Sequence, residues 1–458
     1  MSDPSMSERT EHLLSCAAQV IDKAQALGAD STEVLLITQR ELTTKVRLGE
    51  PELVQQAASR ALGVRVMREG RAAVCHTADL SGPALDELAE QAVRLAGLCE
   101  PDPDAGPPDP ADLAADLPLL DLHDPRVARL DADQALALAK EAEQAALDHD
   151  RRITNSEGAS CSVSEGLRIF ATSGGFCGHY RGTYASVVVE PIADDEGGKK
   201  RNGQWWDGRR HLARLAAPAE IGAEAARRTV EQLGARKVDT CQVPVIFSPE
   251  AGSQVLGTLF GVISGGAAYR NATYLLGRES TPIASELVTV VDDPLLSDGP
   301  GSRPFDGDGL MSRRNVVIDA GKFVGFLCDT YAGRRLGRPS TGSAGRGVSG
   351  PPGVTSTNFY LLPGEQDPND LIQGTTKALY VTRLMGFGFN PVTGDFSKGA
   401  EGFWIEGGRR AFPVSEVTVS ANLDDLLRSI DAVANDLDHR RSTSTPTFRV
   451  SQMTVAGS

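Results

Sequence analysis

The chain has 458 residues and a formal net charge of −15, from 46 basic and 61 acidic residues. Hydrophobic residues make up 40% and charged residues 23%, values typical of globular proteins, which excludes a chain that is disordered throughout. No apolar run approaches the length of a transmembrane helix, and the acidic balance disfavours phosphate-backbone binding, so we expect neither a membrane nor a nucleic-acid partner.

The first half of the chain alternates between helical and strand-like patterns. Apolar residues repeat with helical spacing over residues 8–27, 84–98, 132–147 and 218–233. Strand patterns occur at residues 33–38, 43–48, 62–67 and 72–76, and four short strands are expected between 159 and 191. These patterns predict an N-terminal α/β domain over residues 1–238.

Residues 100–125 interrupt this domain with an acidic, proline-rich segment. It contains seven Asp, one Glu and seven Pro, and neither Lys nor Arg. Proline at this density disfavours a helix or a central strand. We therefore predict an exposed linker or long surface loop, which carries about half of the net charge of the chain.

Residues 239–458 predict a glycine-rich, β-dominated C-terminal domain, so the fold class is α+β. Strand patterns occur at 243–247, 287–291, 315–318, 323–328, 358–362, 379–384, 402–406, 414–420 and 448–455. A hairpin turn is expected at 319–322. Helices are expected at 249–263, where Pro249 occupies a tolerated first-turn position, and at 423–436.

Motifs for the common kinds of catalytic chemistry are absent from the sequence. The seven histidines include no H-E-x-x-H or other close pair, and the seven scattered cysteines, without a C-x-x-C, indicate a reducing cytoplasm. Gly345-Arg-Gly347-Val-Ser-Gly350 matches G-x-G-x-x-G, but the following Pro351-Pro352-Gly353 cannot open the helix that a dinucleotide site requires. We expect a loop there, and long glycine loops often lie over a binding cleft.

Two glycine clusters, residues 264–270 and residues 386–402, are the best candidates for a binding surface. Glycine at such density indicates close approach of the backbone to other backbone or to a ligand, and an exposed edge could pair with an extended peptide. The alternative is a tight corner of β structure. The candidate substrate-channel or interface residues are Ser264, Gly265, Gly266, Tyr269, Arg270, Gly388, Asn390, Thr393, Gly394, Asp395, Ser397 and Trp404.

Seven runs in the second half together resemble the TldD/PmbA family, and specifically its PmbA (TldE) branch. They are 243–247 (VPVIF), 263–266 (ISGG) with Tyr269 and Arg270, 304–306 (PFD), 330–337 (TYAGRRLG), 340–342 (STG), 391–406 (PVTGDFSKGAEGFWIE) and 413–423 (PVSEVTVSANL). The resemblance is strong over residues 240–425. Over residues 1–238 it rests on the order of the elements.

The resemblance implies a subunit of a heterodimeric zinc metalloprotease that cleaves unfolded or extended peptides. In that family a TldD subunit carries an H-E-x-x-x-H helix, and the two subunits enclose a peptide channel. Gly257, Thr258 and Val262 stand where that motif has His, Glu and His, and residues 254–263 contain neither His nor Glu. These side chains supply neither a metal ligand nor a general base. We therefore expect no catalytic residue, metal or cofactor in this chain, and zinc in a TldD-like partner.

Two other functions remain open at this point. A metal-free homodimeric peptide-binding or chaperone-like module would need no protease partner. An autonomous hydrolase with an unrecognised site would hold a stoichiometric metal ion of its own.

Overall fold

The computed structural model describes residues 6–457. In the N-terminal half, the helices are α1 (Met6–Ala26), α2 (Gly82–Ala96), α3 (Pro125–Ala128), α4 (Ala132–His149) and α5 (Pro218–Glu231). The strands are β1 (Ser31–Arg47), β2 (Glu50–Arg68), β3 (Arg71–Thr77), β4 (Ile153–Thr172), β5 (Cys177–Asp194), β6 (Lys200–Asn202) and β7 (Trp205–Arg209). Within residues 6–457, no helix is both long and apolar enough to cross a membrane.

The seven strands form one antiparallel sheet in the order β3-β2-β1-β4-β5-β6, with β7 also paired to β5. Helices α1 and α2 cover one end of a sheet face, and α4 and α5 cover the other end of the same face. The opposite face carries Leu35 and Phe170, which pack against Phe305 from the C-terminal half. This sheet face therefore joins the two halves of the molecule.

The strands of this sheet are longer than the sequence predicts. The expected strands at 33–38 and 43–48 are wrong as separate elements, because β1 runs unbroken through both. The four short strands expected between 159 and 191 are likewise wrong, because they belong to the two long strands β4 and β5. Residues 39–41 of β1 are exposed and lie between the two helix-covered ends of the strand.

Residues 100–124, here called the strap, cross from the N-terminal half onto the C-terminal half. The strap is irregular, as predicted, apart from a short 3-10 turn at Pro110–Asp112. It is not a free linker, because Tyr331 Oη donates to Asp102 Oδ2 at 2.9 Å and Arg334 Nη1 donates to Gly106 O at 2.7 Å. Arg335 Nη1 also lies 3.3 Å from Asp104 Oδ2, so an acidic side chain of the strap is paired with a basic group of the C-terminal half.

The C-terminal half contains the remaining elements. Its helices are α6 (Pro249–Ile263), α7 (Gly265–Tyr269), α8 (Thr330–Arg335), α9 (Pro368–Gln373) and α10 (Leu423–Arg428). Its strands are β8 (Cys241–Phe247), β9 (Val290–Asp292), β10 (Asn315–Asp319), β11 (Lys322–Phe323), β12 (Ala344–Gly345), β13 (Gly353–Val354), β14 (Phe359–Leu361), β15 (Lys377–Met385), β16 (Asp395–Glu406), β17 (Arg409–Asn422), β18 (Ile430–Val433), β19 (Thr443–Ser444) and β20 (Phe448–Ala456).

Two larger sheets organise this half around a shared core. One has the order β17-β16-β15-β8-β20-β18, and an added pairing of β17 with β20 closes it on itself. The other has the order β11-β10-β9-β14-β19. The buried side of α6 lies in the core that both sheets line. The mixed helix and strand content confirms the predicted α+β class, with helices packed on one sheet and a β-dominated second half.

Candidate functional site

Helix α6 is the element from which the candidate site is built. Ser248 caps its first turn, since the Ser248 hydroxyl accepts the Ala251 N–H, and Pro249 follows at a position that needs no donor. Its apolar side chains repeat with helical spacing and are buried; they are Ala251, Val255, Leu256, Leu259, Val262 and Ile263. The structure confirms the helix predicted at 249–263.

The opposite side of α6 is open. It carries Gln254, Gly257, Thr258 and Gly261, here called the α6 face. A Cβ added to Gly257 or Gly261 would meet no atom within 4 Å, so the helix backbone is accessible there. Val262 does not belong to this face, because its side chain is fully buried in the core.

The α6 face forms the floor of an open depression of about 540 Å³. Its walls are Ala267, Arg270, Ala272, Phe389, Pro391 and Lys398. The lining contains two cationic side chains, Arg270 and Lys398, and no carboxylate. Burial lowers the pKa of Lys398 from its ordinary value. The depression therefore favours electron-rich groups, such as main-chain carbonyls, over a metal cation.

The residues that line the depression do not fit the zinc ion that the family resemblance raises as a candidate. A hydrolytic zinc site takes three His, or two His and a carboxylate, with an open position. The α6 face offers only the Thr258 hydroxyl and the Gln254 amide, beside two cations. Among residues 6–457, no three His, Cys, Asp or Glu side chains are gathered so that they could hold a metal ion.

The predicted cluster at 264–270 forms the short helix α7 behind one wall of the depression. Ser264 caps it, because the Ser264 hydroxyl accepts the Gly266 N–H. Gly265 is required by packing, since a Cβ there would lie 2.7 Å from Cys328 Sγ. The Tyr269 ring packs edge-on against Tyr331. Of this cluster, Arg270 lines the depression, together with Ala267, which the prediction did not include.

The second predicted cluster, residues 386–402, begins with a tight turn, here called the glycine loop (residues 386–397), at the other wall and continues into β16. A Cβ on Gly388 would overlap the carbonyl oxygen of Ser397, which the Gly388 backbone approaches closely. The Gly394 N–H donates to Asn390 O at 2.8 Å, and Gly394 has a positive φ of 80°. Thr393 Oγ1 donates to Asp395 Oδ2 at 2.7 Å. The glycines thus build the β corner that was the alternative explanation for their density.

The glycine loop also presents apolar surface to solvent. Phe387 is 102% exposed, and Val392 is 56% exposed. Phe389 and Pro391 of the same loop line the depression. Large apolar side chains gathered at one exposed site are typical of an interaction surface.

Trp404 lies apart from the depression. Its side chain is 5% exposed and belongs to the main core, and its Nε1 donates to Glu406 Oε1 at 3.1 Å. The individual candidate residues did not include the α6 face, Phe387 or Lys398, although Phe387 and Lys398 lie within the predicted segment 386–402. Gly257 and Thr258 were compared with the metal motif and not proposed as a binding surface. The small and polar residues at 254, 257, 258 and 261 follow the helical period opposite the apolar stripe, and that pattern could have identified the face.

Family models match most of the chain in three consecutive parts. Residues 32–96 match PmbA/TldA metallopeptidase domain 1, residues 125–233 match the central domain, and residues 240–457 match the C-terminal domain. The unmatched residues 97–124 comprise the strap and the residues immediately before it.

Individual relatives agree with these matches. "Metalloprotease PmbA" of Escherichia coli O157:H7 is 36% identical over 94% of this chain and 93% of its own length. "Metalloprotease TldD homolog" of Haemophilus influenzae is 25% identical over 67% of this chain and 65% of its own length. The crystal structure of TldE from Thermococcus kodakarensis superposes with a TM-score of 0.87 at 24% identity, covering 96% of this chain and 100% of that one, which establishes a shared fold.

Proposed function

This chain belongs to the PmbA/TldD family of metallopeptidase-like proteins, and from that premise we propose that it is the TldE-like, non-catalytic subunit of a heterodimeric zinc metalloprotease. Its partner is a TldD-like chain that holds the zinc ion and the general base. The substrate of the complex is an unfolded or extended peptide. We place the complex in the cytoplasm because all seven cysteines are free and scattered along the chain.

The chemistry of the α6 face is the observation that carries this proposal. The helix at 249–263 is where the family places its metal-binding motif, and its accessible residues here are glycine, threonine and glutamine. The walls add two positive charges and no negative charge. A divalent cation would meet repulsion without ligands, so metal-assisted hydrolysis has to take place on another subunit.

The same surface suits a role in completing a peptide channel. Gly257 and Gly261 leave helix backbone open, so an extended chain can approach without meeting side chains. Arg270 and Lys398 can donate to peptide carbonyls, which are present in every sequence. Contacts of this kind give binding with little sequence preference. The apolar tip of the glycine loop, with Phe387, extends from this surface and forms the seam with the catalytic subunit.

Co-expression of this chain with a TldD-like protein from the same genome tests the proposal. Native mass spectrometry should give a one-to-one complex with one zinc ion, and the isolated chain should be metal-free. Peptidase activity on an unfolded casein substrate should require both chains.

A variant that fills the α6 face sharpens the test. Gly257→Trp should lower casein cleavage by the complex at least about tenfold, because the indole would occupy the depression. Ala137→Trp is the matched control, since Ala137 is exposed on helix α4 of the N-terminal half. Equal casein cleavage by the two variant complexes would show that the α6 face does not line the channel.

Two outcomes would replace the proposal. A homodimer that binds unfolded peptide without metal, and that forms no complex with a TldD-like chain, would make this protein a peptide-binding module. One metal ion per isolated chain, with peptidase activity, would make it an autonomous hydrolase.

A further inference from the structure

A second polar pocket lies against the face of the first sheet that the helices do not cover. It is an open cavity of about 540 Å³, here called the arginine pocket, and Arg168, Arg303 and Arg346 line it. Arg168 comes from strand β4, on the sheet face that meets the C-terminal half. The other walls are Tyr180 and a glycine-rich loop at 345–355, which contains the G-x-G-x-x-G match.

Several guanidinium donors of this pocket lack hydrogen-bond partners, although one terminal nitrogen of Arg168 donates to Arg346 O. Arg303 Nε and one terminal nitrogen of Arg303 are buried and have no hydrogen-bond partner. Within the described part of the chain, neither Arg303 nor Arg168 has a carboxylate oxygen within 4.0 Å. The Arg346 side chain is 4% exposed, and its Nε is also without a partner. Burying such donors unpaired is costly, because a guanidinium cannot lose its proton.

The nearby acids lie outside the lining of the pocket. Glu33 is fully buried, and its single negative charge is shared between Arg65, at 3.0 Å, and Arg346. Asp292 and Asp306 lie within electrostatic range of Arg303. Burial, with the neighbouring Asp308, raises the pKa of Asp306, which makes the negative charge of that carboxyl less favourable. The lining of the pocket itself thus carries three positive charges and no carboxylate, in a protein whose net charge is negative.

We propose that the arginine pocket is a binding site for an oxyanion, either a carboxylate or a phosphate, held by Arg168, Arg303 and Arg346. Guanidinium groups form charge-assisted, often bidentate hydrogen bonds to these planar or tetrahedral anions. The wall at Gly345, Gly347 and Gly353 carries no side chains and leaves room for the anion to reach the arginines. This site is separate from the α6 face, and the inference does not depend on the proposed function.

Calorimetric titration of the isolated full chain with inorganic phosphate, at constant ionic strength, tests the site. We expect one phosphate to bind per chain and to raise the thermal unfolding temperature, whereas an equivalent concentration of chloride does not. Arg303→Met should weaken phosphate binding at least about tenfold, the loss expected for charged hydrogen bonds. Arg409→Met is the matched control, because Arg409 is exposed and outside the pocket.

Competition identifies the source of the anion. A short extended peptide with a free C-terminal carboxylate should displace phosphate if the pocket receives a peptide terminus, and the same peptide with an amidated terminus should not. If neither peptide competes while phosphate binds, the ligand is of the phosphate type. Arg303→Lys keeps the charge but loses the planar fork, so its affinity should lie between those of the wild-type and Arg303→Met proteins.

Two results would overturn the assignment. In one, wild-type protein binds neither phosphate nor the free-acid peptide more strongly than chloride. In the other, Arg303→Met or Arg303→Lys binds phosphate with wild-type affinity. Because the isolated chain is used, either result leaves the pairing with a catalytic subunit untouched.

Discussion

Replacing Phe387 tests whether the tip of the glycine loop is the seam with a catalytic subunit. The side chain is 102% exposed in the single chain, so Phe387→Ser removes apolar surface without disturbing the core. Burial of a phenylalanine side chain in an interface contributes about 1.5–3 kcal/mol. If the partner covers this ring, the dissociation constant of the heterodimer should rise by about tenfold to over a hundredfold.

Surface-based binding measurements with an immobilised TldD-like partner give this dissociation constant directly. Leu119→Ser is the matched control, because Leu119 is also 102% exposed but lies on the strap. Both variants should keep the wild-type unfolding temperature, since neither side chain is packed in the single chain. Unchanged affinity for Phe387→Ser, or an equal loss for Leu119→Ser, would refute the reasoning that exposed apolar surface marks the seam.

Three further predictions concern stability. Gly394→Ala should lower the free energy of unfolding by about 1–2 kcal/mol in urea titrations, because the positive φ of 80° is strained for alanine. Burial and Asp308 raise the pKa of Asp306 to about 7 from 3.8, so folding takes up a proton between about pH 4 and 7 and the free energy of unfolding falls as pH rises through that window. Asp306→Asn should reduce this fall, with the remainder due to Asp292, whose pKa burial raises to about 6, and Asp116→Asn, at an exposed site, should leave the fall unchanged. Arg334→Met should make the strap several-fold more sensitive to limited proteolysis, because the guanidinium donates to three strap carbonyls.

Features set by neighbouring residues were predictable from the sequence. Helix α6 has the predicted bounds, because a capping serine, a first-turn proline and an apolar stripe coincide. The turn at 319–322 joins β10 and β11 as expected, with Gly321 at a positive φ of 80°. In both places the local pattern and the final fold favour the same structure.

Features set by distant residues were not predictable. The last helix was expected to extend over 423–436 but ends at Arg428, because Ile430–Val433 pairs with β20 instead. The apolar spacing of residues 430–433 is equally compatible with a helix. Their pairing with β20 determines that they form a strand. The arginine pocket has no sequence signature, because Arg168, Arg303 and Arg346 come from separate parts of the chain. The glycine clusters, in contrast, pointed to the region of the depression, although several of their residues serve the turn itself.

The position of β20 has a consequence for biosynthesis. This strand follows all others in the chain, yet it lies between β8 and β18 and also pairs with β17. The first sheet can form once residue 209 is available, whereas β8 must wait about 200 residues for its neighbour. At ribosomal rates of about 5–20 residues per second, that delay is roughly 10–40 s. During this interval β8 exposes an unpaired edge, so the nascent chain has a defined period in which chaperone protection or an early-binding partner matters most.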